Sequence, residues 1–415
     1  MSEWKDCHIS DLGDVVGGAT PSTKNLENYE NGTIAWITPK DLSNFTERFI
    51  SRGERNITDA GLKSCSTQLM PAHTILFSSR APIGYVAIAE NEVCTNQGFK
   101  SIVPNHDTDF LFLYYLLKFN KDKIERMGSG TTFKEVSGST MRGVPVRVPA
   151  SYVIQRKIGS FLGAIDDKIE ENGRINKNLL QQAQAILTSF FIDFSHFDGI
   201  VPSDWEQGTL QDIADFSNGY AFKSKELLDT PEPGCYHVFK QGHINRGGGF
   251  NSSGTKSWYP MGKCSNLSKY ILHKGDVLMA MTDMKDNVAI LGNTALMTVD
   301  NQYIVNQRVG LLRSNGYRKT SYAYIYLLTN SFDFLKDLRS RANSGVQVNL
   351  SSAEIKASPV WIATDEVNEE FNALTEPLLS MIMANDIENQ RLADLRDVLL
   401  PQLMSGELDV SALVL

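Results

Sequence analysis

The chain repeats itself, and that constrains its fold more than any other feature. "DLGDVVGGATPSTK" at 11–24 lies over "DIADFSNGYAFKSK" at 212–225, setting Gly18 on Gly219 and Lys24 on Lys225. "ILFSSRAP" at 75–82 matches "VLMAMTDM" at 277–284, and "TNQGFKSI" at 95–102 matches "VNQRVGLL" at 305–312. "YYLLKF" at 114–119 answers "IYLLTN" at 325–330; "GSGTTF" at 128–133 answers "NSGVQV" at 343–348; "VPVRVP" at 144–149 answers "SPVWIA" at 358–363. The pieces keep their order while the offset drifts from 201 to 215, so the second copy carries insertions.

Each copy ends in a long helical pattern, near 152–192 and 366–404. At an offset of 213, Ile158 pairs with Phe371, Ile165 with Leu378, Asn172 with Asn385, Leu179 with Leu392 and Ile186 with Leu399. Each set advances by seven. Leu162, Ile169, Ala183 and Phe190 in the first helix, with Leu374, Met381 and Leu395 in the second, complete a coiled-coil seam. Pro149 and Pro401 mark its expected boundaries. In an antiparallel pair about a pseudo-two-fold axis, the middle layers would bring Asn172 to Asn385. The other reading leaves both asparagines solvated at the seam's edge. Between the helices, "HTILFSS", "YVAIAE", "KSIVP", "DVLMAM" and "RVGLLR" read as strands. "DFLFLYYLLKFNKDKIERM" and "SYAYIYLLTNSFDFLKDL" read as amphipathic helices. The expected fold is therefore mixed α/β: two similar globular domains separated by a pair of long antiparallel coiled-coil helices. The boundaries fall at 1–150, 151–195, 196–364 and 365–415.

Charge first argues against a nucleic-acid partner, because the chain carries −8. Its distribution argues the other way. Residues 365–415 hold eleven Asp/Glu and two Arg, a net of −9, leaving 38 positive against 37 negative side chains elsewhere. No apolar run is long enough to span a membrane, and "MSEWKDCHIS" lacks a signal-peptide layout. Five scattered cysteines without a CxxC pair suggest reduced thiols in a cytoplasmic protein.

Catalytic signatures are sparse. No glycine-rich cofactor turn or "NPPF"-like motif marks a methyltransferase. "GGGFNSSGTK" at 247–256 has the wrong lysine spacing for a phosphate loop. "EIK" at 354–356 has no metal-binding Asp on a preceding strand to make a nuclease site. Cys235 and His237, with His243 and Cys264, form a weak zinc pattern. No nucleophile elbow is present. The expectation is a chain with no catalytic residues, no metal and no cofactor of its own.

Residues 240–275 hold six Lys/Arg and no Asp or Glu, interleaved with Phe250, Trp258, Tyr259 and Tyr270. Such a stretch suits phosphate neutralisation and base reading, though a solvated glycine-rich loop has the same composition. Residues 46–63 occupy the matching place in the first copy with mixed charge. Candidate DNA contacts are Lys24, Lys40, Arg52, Arg55, Lys63 and Arg80 in the first copy. In the second they are Lys223, Lys225, Lys240, Arg246, Asn251, Lys256, Trp258, Lys263 and Lys285. Segments that match between copies should be scaffold; those that diverge, 46–72, 243–272 and the loop from Asp283, should read sequence.

Two copies of "GGATPSTKN…GTIAWITPKDL…SSRAPIGYVAIAE…TNQGFKSI"-like features, each running into a long helix, with a closing "LRDVLLPQLMSGEL", resemble a specificity subunit of a type I restriction–modification enzyme. The second copy departs from the pattern, lacking "TPS" and "SSRAPIG". The resemblance implies two target-recognition domains, each reading half of a split, asymmetric double-stranded DNA target. It also implies two docked methylation subunits, which bring S-adenosylmethionine, and restriction subunits, which use ATP and Mg. A helical scaffold whose domains bind a partner other than DNA, or an enzyme with an unfamiliar site, are the alternatives.

Overall fold

The computed structural model describes residues 3–43, 45–80, 82–130, 134–284, 288–344 and 347–411. The chain divides into two compact units, one of Met1–Glu170 with Arg391–Leu415 and one of Glu171–Gln390.

In the first unit a five-stranded sheet runs in the order Gly13–Gly17, Lys100–Pro104, Ile75–Phe77, Val86–Ala89, Phe49–Ile50. Neighbours are antiparallel except the last two strands, which run parallel. Ile75, Leu76 and Phe77 are wholly buried, as befits a central strand covered on both faces. A second sheet places Ile34–Ile37 between Arg55–Ile57 and Val93–Thr95. Trp4–His8 pairs antiparallel with Pro145–Pro149.

The second unit repeats this plan. Ala214–Asn218, Val309–Ser314, Val277–Ala280 and Thr294–Leu296 reproduce the first four strands of the large sheet. Cys235–Phe239 lies antiparallel to Trp258–Pro260 and parallel to Tyr303–Val305, as Ile34–Ile37 does to its own two neighbours. Glu206–Thr209 pairs with Pro359–Ile362. The strands expected from the sequence are present in both units.

The matched glycines show why the repeat persists. A Cβ on Gly18 would lie 2.1 Å from the Asn96 carbonyl oxygen, and one on Gly219 2.2 Å from that of Asn306. Only glycine allows the backbones to approach so closely. Each expected amphipathic helix instead breaks in two at an asparagine. Phe110–Phe119 stops at Asn120, and Tyr322–Thr329 stops at Asn330. The Asn120 amide donates to the Leu116 carbonyl at 2.8 Å and the Asn330 amide to that of Tyr326 at 3.2 Å, competing with continuation of the helix.

The two long helices are Tyr152–Leu187, with a wider π turn over Thr188–Ile192, and Asp365–Ser405. The second runs through Pro401, which therefore does not end it. Gly406, at φ +78°, does. Each unit's core takes a part of both helices. Ile158, Leu162, Leu403 and Met404 join the first, and Ala183, Leu187, Phe371 and Leu379 join the second.

The expected seam holds only in part. Ile158, Leu162, Ile165, Asn172, Ala183, Phe190 and Phe371 are buried. Ile169, Leu179, Ile186, Leu378, Asn385, Leu392 and Leu399 are half-buried. Leu374, Met381 and Leu395 are 45%, 53% and 48% exposed and belong to no seam. Between Phe371 and Met383 the buried positions of that helix run Phe371, Thr375, Leu379, Met383, a step of four. This stretch packs a broad face on the second unit's globular core, and a four-residue ridge suits that better than a narrow seam.

The asparagine layer also differs from expectation. Asn172 donates to Asn389 Oδ1 at 2.9 Å and to Glu388 at 2.7 Å, while Asn385 donates to Asn176 Oδ1 at 2.7 Å. The pairing is thus shifted by one helical turn from Asn172–Asn385. At the offset of 213, Asn172 corresponds to Asn385 and Asn176 to Asn389, so each bond is the repeat-related counterpart of the other.

Candidate nucleic-acid interface

The lysine- and glycine-rich stretch of the second unit is more structured than its composition suggests. Gly247, Gly248 and Gly249 all adopt positive φ, and a Cβ on Gly248 would lie 2.5 Å from Asn330 Oδ1. These glycines serve a tight turn packed against the helix end at Asn330. They are not a phosphate cradle. His243 is fully buried behind them, and its Nδ1 accepts the Lys240 N–H at 3.1 Å. Burial pushes its imidazole down to about 4, so the ring stays neutral at ordinary pH.

The aromatic side chains of this stretch turn inward. His237 stacks between Trp258, with centroids 5.1 Å apart, and Tyr303 at 4.8 Å. Phe250 packs beside Phe239 and His243, Tyr259 is buried, and Tyr270 is half-buried. Asn251 spends its side chain on the loop, donating to the Gly242 carbonyl and accepting from Ser253. Lys240 donates to Ser257 Oγ at 2.7 Å, and partial burial lowers its pKa. Arg246, Lys256 and Lys263 remain exposed and, among the described residues, form no ion pair. Lys225 is exposed, Lys223 lies 4.0 Å from Glu226, and Lys285 lies outside the described residues.

The first unit divides its candidates in the same way. Lys24, Arg52 and Lys63 are exposed. Lys40 pairs with Glu54 at 2.7 Å, which raises the lysine's pKa through hydrogen bonding. The Arg55 guanidinium lies 4.3 Å from the Tyr29 ring centroid, and Arg80 sits 3.8 Å from Glu135. Beside Arg52 a groove of about 760 Å³ is lined by Thr33, Ser51, Asn56 and Asn91. The Asn56 side-chain oxygen is buried there without a hydrogen-bond partner among the described residues. Such side chains can pair with base edges.

Arg48 was missed by sequence reasoning. It lies in a run of mixed charge, where nothing distinguishes a buried guanidinium from a solvated one, yet its side chain is only 4% exposed. Burial became visible only with the carboxylates of the central helix around it.

Among the described residues no three His, Cys, Asp or Glu group as metal ligands. Of the zinc pattern, His237 and His243 meet ring against ring at 4.8 Å, and the buried Cys264 thiol donates to the Pro260 carbonyl. No helix of the described residues is long and apolar enough to cross a membrane.

Comparison with known proteins accords with the repeat. The family described as the type I restriction modification DNA specificity domain matches twice, over residues 1–181 and 202–374. The type I restriction enzyme MjaIX specificity subunit of Methanocaldococcus jannaschii is 33% identical, covering 99% of this chain and 95% of its own length. The HindI specificity subunit of Haemophilus influenzae is 22% identical over 98% of this chain and all of its own. The crystal structure of the type I restriction–modification S subunit from M. genitalium superposes with a TM-score of 0.61 at 16% identity. It covers 97% of this chain and 96% of that one, a likeness of fold. Two family matches, one on each copy of the repeated scaffold, establish that the chain belongs to the specificity subunits of type I restriction–modification enzymes.

Proposed function

We propose that the chain reads a split, asymmetric DNA target, with one half-site for each copy of the scaffold. The observation that carries this reading is the repetition itself. The same strand plan occurs twice around matched Gly18 and Gly219, while the segments near Arg52 and near Lys256 differ between copies. Phosphate contacts by exposed Lys and Arg set position on the duplex, and polar side chains in the grooves discriminate bases. In this reading residues 1–150 and 196–364 are the target-recognition domains. Segments 151–195 and 365–415 supply the two arms of an antiparallel coiled coil that separates them. The Asn172–Asn389 and Asn385–Asn176 bonds support that arrangement, since partner numbers fall along one helix as they rise along the other.

The chain would make no bonds itself. Two methylation subunits would dock on it and supply S-adenosylmethionine for adenine methylation. Restriction subunits would add ATP- and Mg-dependent cleavage. Adenine-methylation mapping in cells carrying the complex tests the reading; it expects one bipartite motif with a fixed unread spacer. A contiguous motif, or none, overturns it. Replacing Arg246, Lys256 and Lys263 by Gln should weaken binding and reduce the salt slope by roughly 0.9 for each phosphate that is no longer neutralised. An unchanged slope would remove these residues from the interface.

A further inference from the structure

We propose that Arg48 is the positioning residue that locks the reading segment of the first domain to the central helix. The inference deepens the two-half-site reading above and rests on it. The Arg48 Nε donates to Glu170 Oε1 at 3.0 Å and Nη2 to Glu170 Oε2 at 3.2 Å, a bidentate fork. Nη1 donates to the Gly163 carbonyl at 3.2 Å, and Nη2 also reaches Asp167. The Arg48 backbone joins in, its N–H donating to Glu170 Oε1 at 2.9 Å and its carbonyl accepting from Ile88 at 2.8 Å. A guanidinium 4% exposed and a carboxylate 10% exposed hold each other in one geometry, unlike a surface pair free to sample many.

What this cluster holds is the root of a functional segment. Phe49 and Ile50 follow Arg48 as the edge strand of the large sheet, and the exposed Arg52 stands four residues beyond the guanidinium. Arg55–Ile57 then returns into the second sheet. The tip that carries Arg52, beside the groove lined by Ser51 and Asn56, is thereby referenced to the helix axis. Without the fork, it would be referenced only to the two sheets that hold its ends.

Among the described residues the second domain has no counterpart of this cluster at the matching positions. The residues 213 positions after Gly163, Asp167 and Glu170 are Glu376, Ser380 and Met383, and Met383 is buried in an apolar core. Its reading segment meets the C-terminal helix through a hydrogen bond from Ser252 to Gln390 and around the cavity shared by Phe250, Leu379 and Met383. Loss of the Arg48 cluster should therefore affect one half-site.

The test uses the full-length chain in its methylation complex, after the wild-type motif has been mapped. Binding is measured to duplexes bearing single base changes in either half-site, which should cost the wild type about tenfold each. Arg48→Met with Glu170→Gln removes both partners, so no buried charge is stranded. Its penalty should fall to roughly threefold in one half-site and stay at the wild-type value in the other. Arg48→Lys, which keeps the charge and loses the fork, should lie between, and it decides the matter if the double variant fails to fold. A variant that melts like the wild type and keeps both penalties overturns the proposal, as does equal loss at both half-sites. Absence of a bipartite motif in the wild type would instead strike the two-half-site reading itself.

Discussion

Asp386 brings its carboxyl to a cavity of about 270 Å³ whose walls include Leu180, Phe250, Leu379 and Met383. Burial pushes its pKa up from 3.8 to about 6, opposed by a hydrogen bond from Asn176 at 2.8 Å. The folded state therefore holds this proton more tightly than the unfolded one. Stability falls as pH rises from about 4 to about 6, and the full penalty applies above that range. Asp386→Asn should raise the unfolding free energy by up to about 3 kcal/mol at pH 8 and leave it unchanged near pH 4. Urea midpoints at the two pH values check this; an equal shift at both would rule out titration as the cause. His243 works in the opposite sense, because its depressed pKa withdraws stability as pH falls from about 6.5 through about 4. Nothing in the sequence distinguishes Asp386 from the other acids of its helix. Burial in an apolar wall depends on distant residues such as Phe250, and a one-dimensional charge pattern does not carry that.

One layer of the long helices differs in chemistry between the two units. In the first, Arg396 donates to Asp166 Oδ1 at 2.6 Å, and Tyr115 donates to Asp166 Oδ2 at 2.6 Å. At the repeat offset of 213, Asp166 corresponds to Leu379 and Arg396 to Ala183, and both of these lie in the second unit's apolar core. Arg396→Ala alone strands a nearly buried carboxylate and should cost about 3–5 kcal/mol. Combining Arg396→Ala with Asp166→Leu and Tyr115→Phe recreates the apolar layer and should return stability to within about 1 kcal/mol of wild type, or above it. Chemical denaturation of the single and triple variants decides, and a triple variant as weak as the single one would refute the layer equivalence. Glycines of the central helix offer a second contrast. A Cβ on Gly159 would lie 2.7 Å from Asp109 Oδ1 and from the Phe112 nitrogen, whereas Gly173 meets nothing within 4 Å. Gly159→Ala should destabilise by about 1–3 kcal/mol through overpacking, and Gly173→Ala should stabilise by up to about 1 kcal/mol through helix propensity. Thermal melts that shift in the same direction for both would contradict this pairing of causes. The existence and approximate extent of both helices were legible from the seven-residue spacing of apolar residues, though Pro401 does not end the second. The covered stripe was not: Leu374, Met381 and Leu395 fit the heptad as well as Phe371 does, and only the neighbouring globular core selects between them.

At the scale of the whole chain, the repeat was the legible feature, because close backbone approaches at Gly18 and Gly219 leave a mark in sequence. The candidate DNA contacts were less so: of the stretch 240–275, the aromatic residues fold inward and Arg246, Lys256 and Lys263 stay in solvent. Negative charge is concentrated in residues 365–415, which leaves residues 1–364 near neutrality. If the helices set the distance between half-sites, their length is a variable of specificity. Inserting seven residues in each helix, at Glu170 and at Gln390 where the two units divide, preserves every face while adding about 10 Å. That is close to three base-pair steps at roughly 3.4 Å each. The longer spacer also turns one half-site about the DNA axis by roughly a third of a turn, so methylation should weaken as well as move. The expected result is a motif with both half-sites unchanged and about three more unread base pairs between them, at reduced occupancy. Mapping methylated adenines in cells carrying the elongated chain measures both quantities at once. Methylation of targets with the original spacer by a complex carrying the elongated chain would mean that the helices hold the domains without measuring the distance between half-sites.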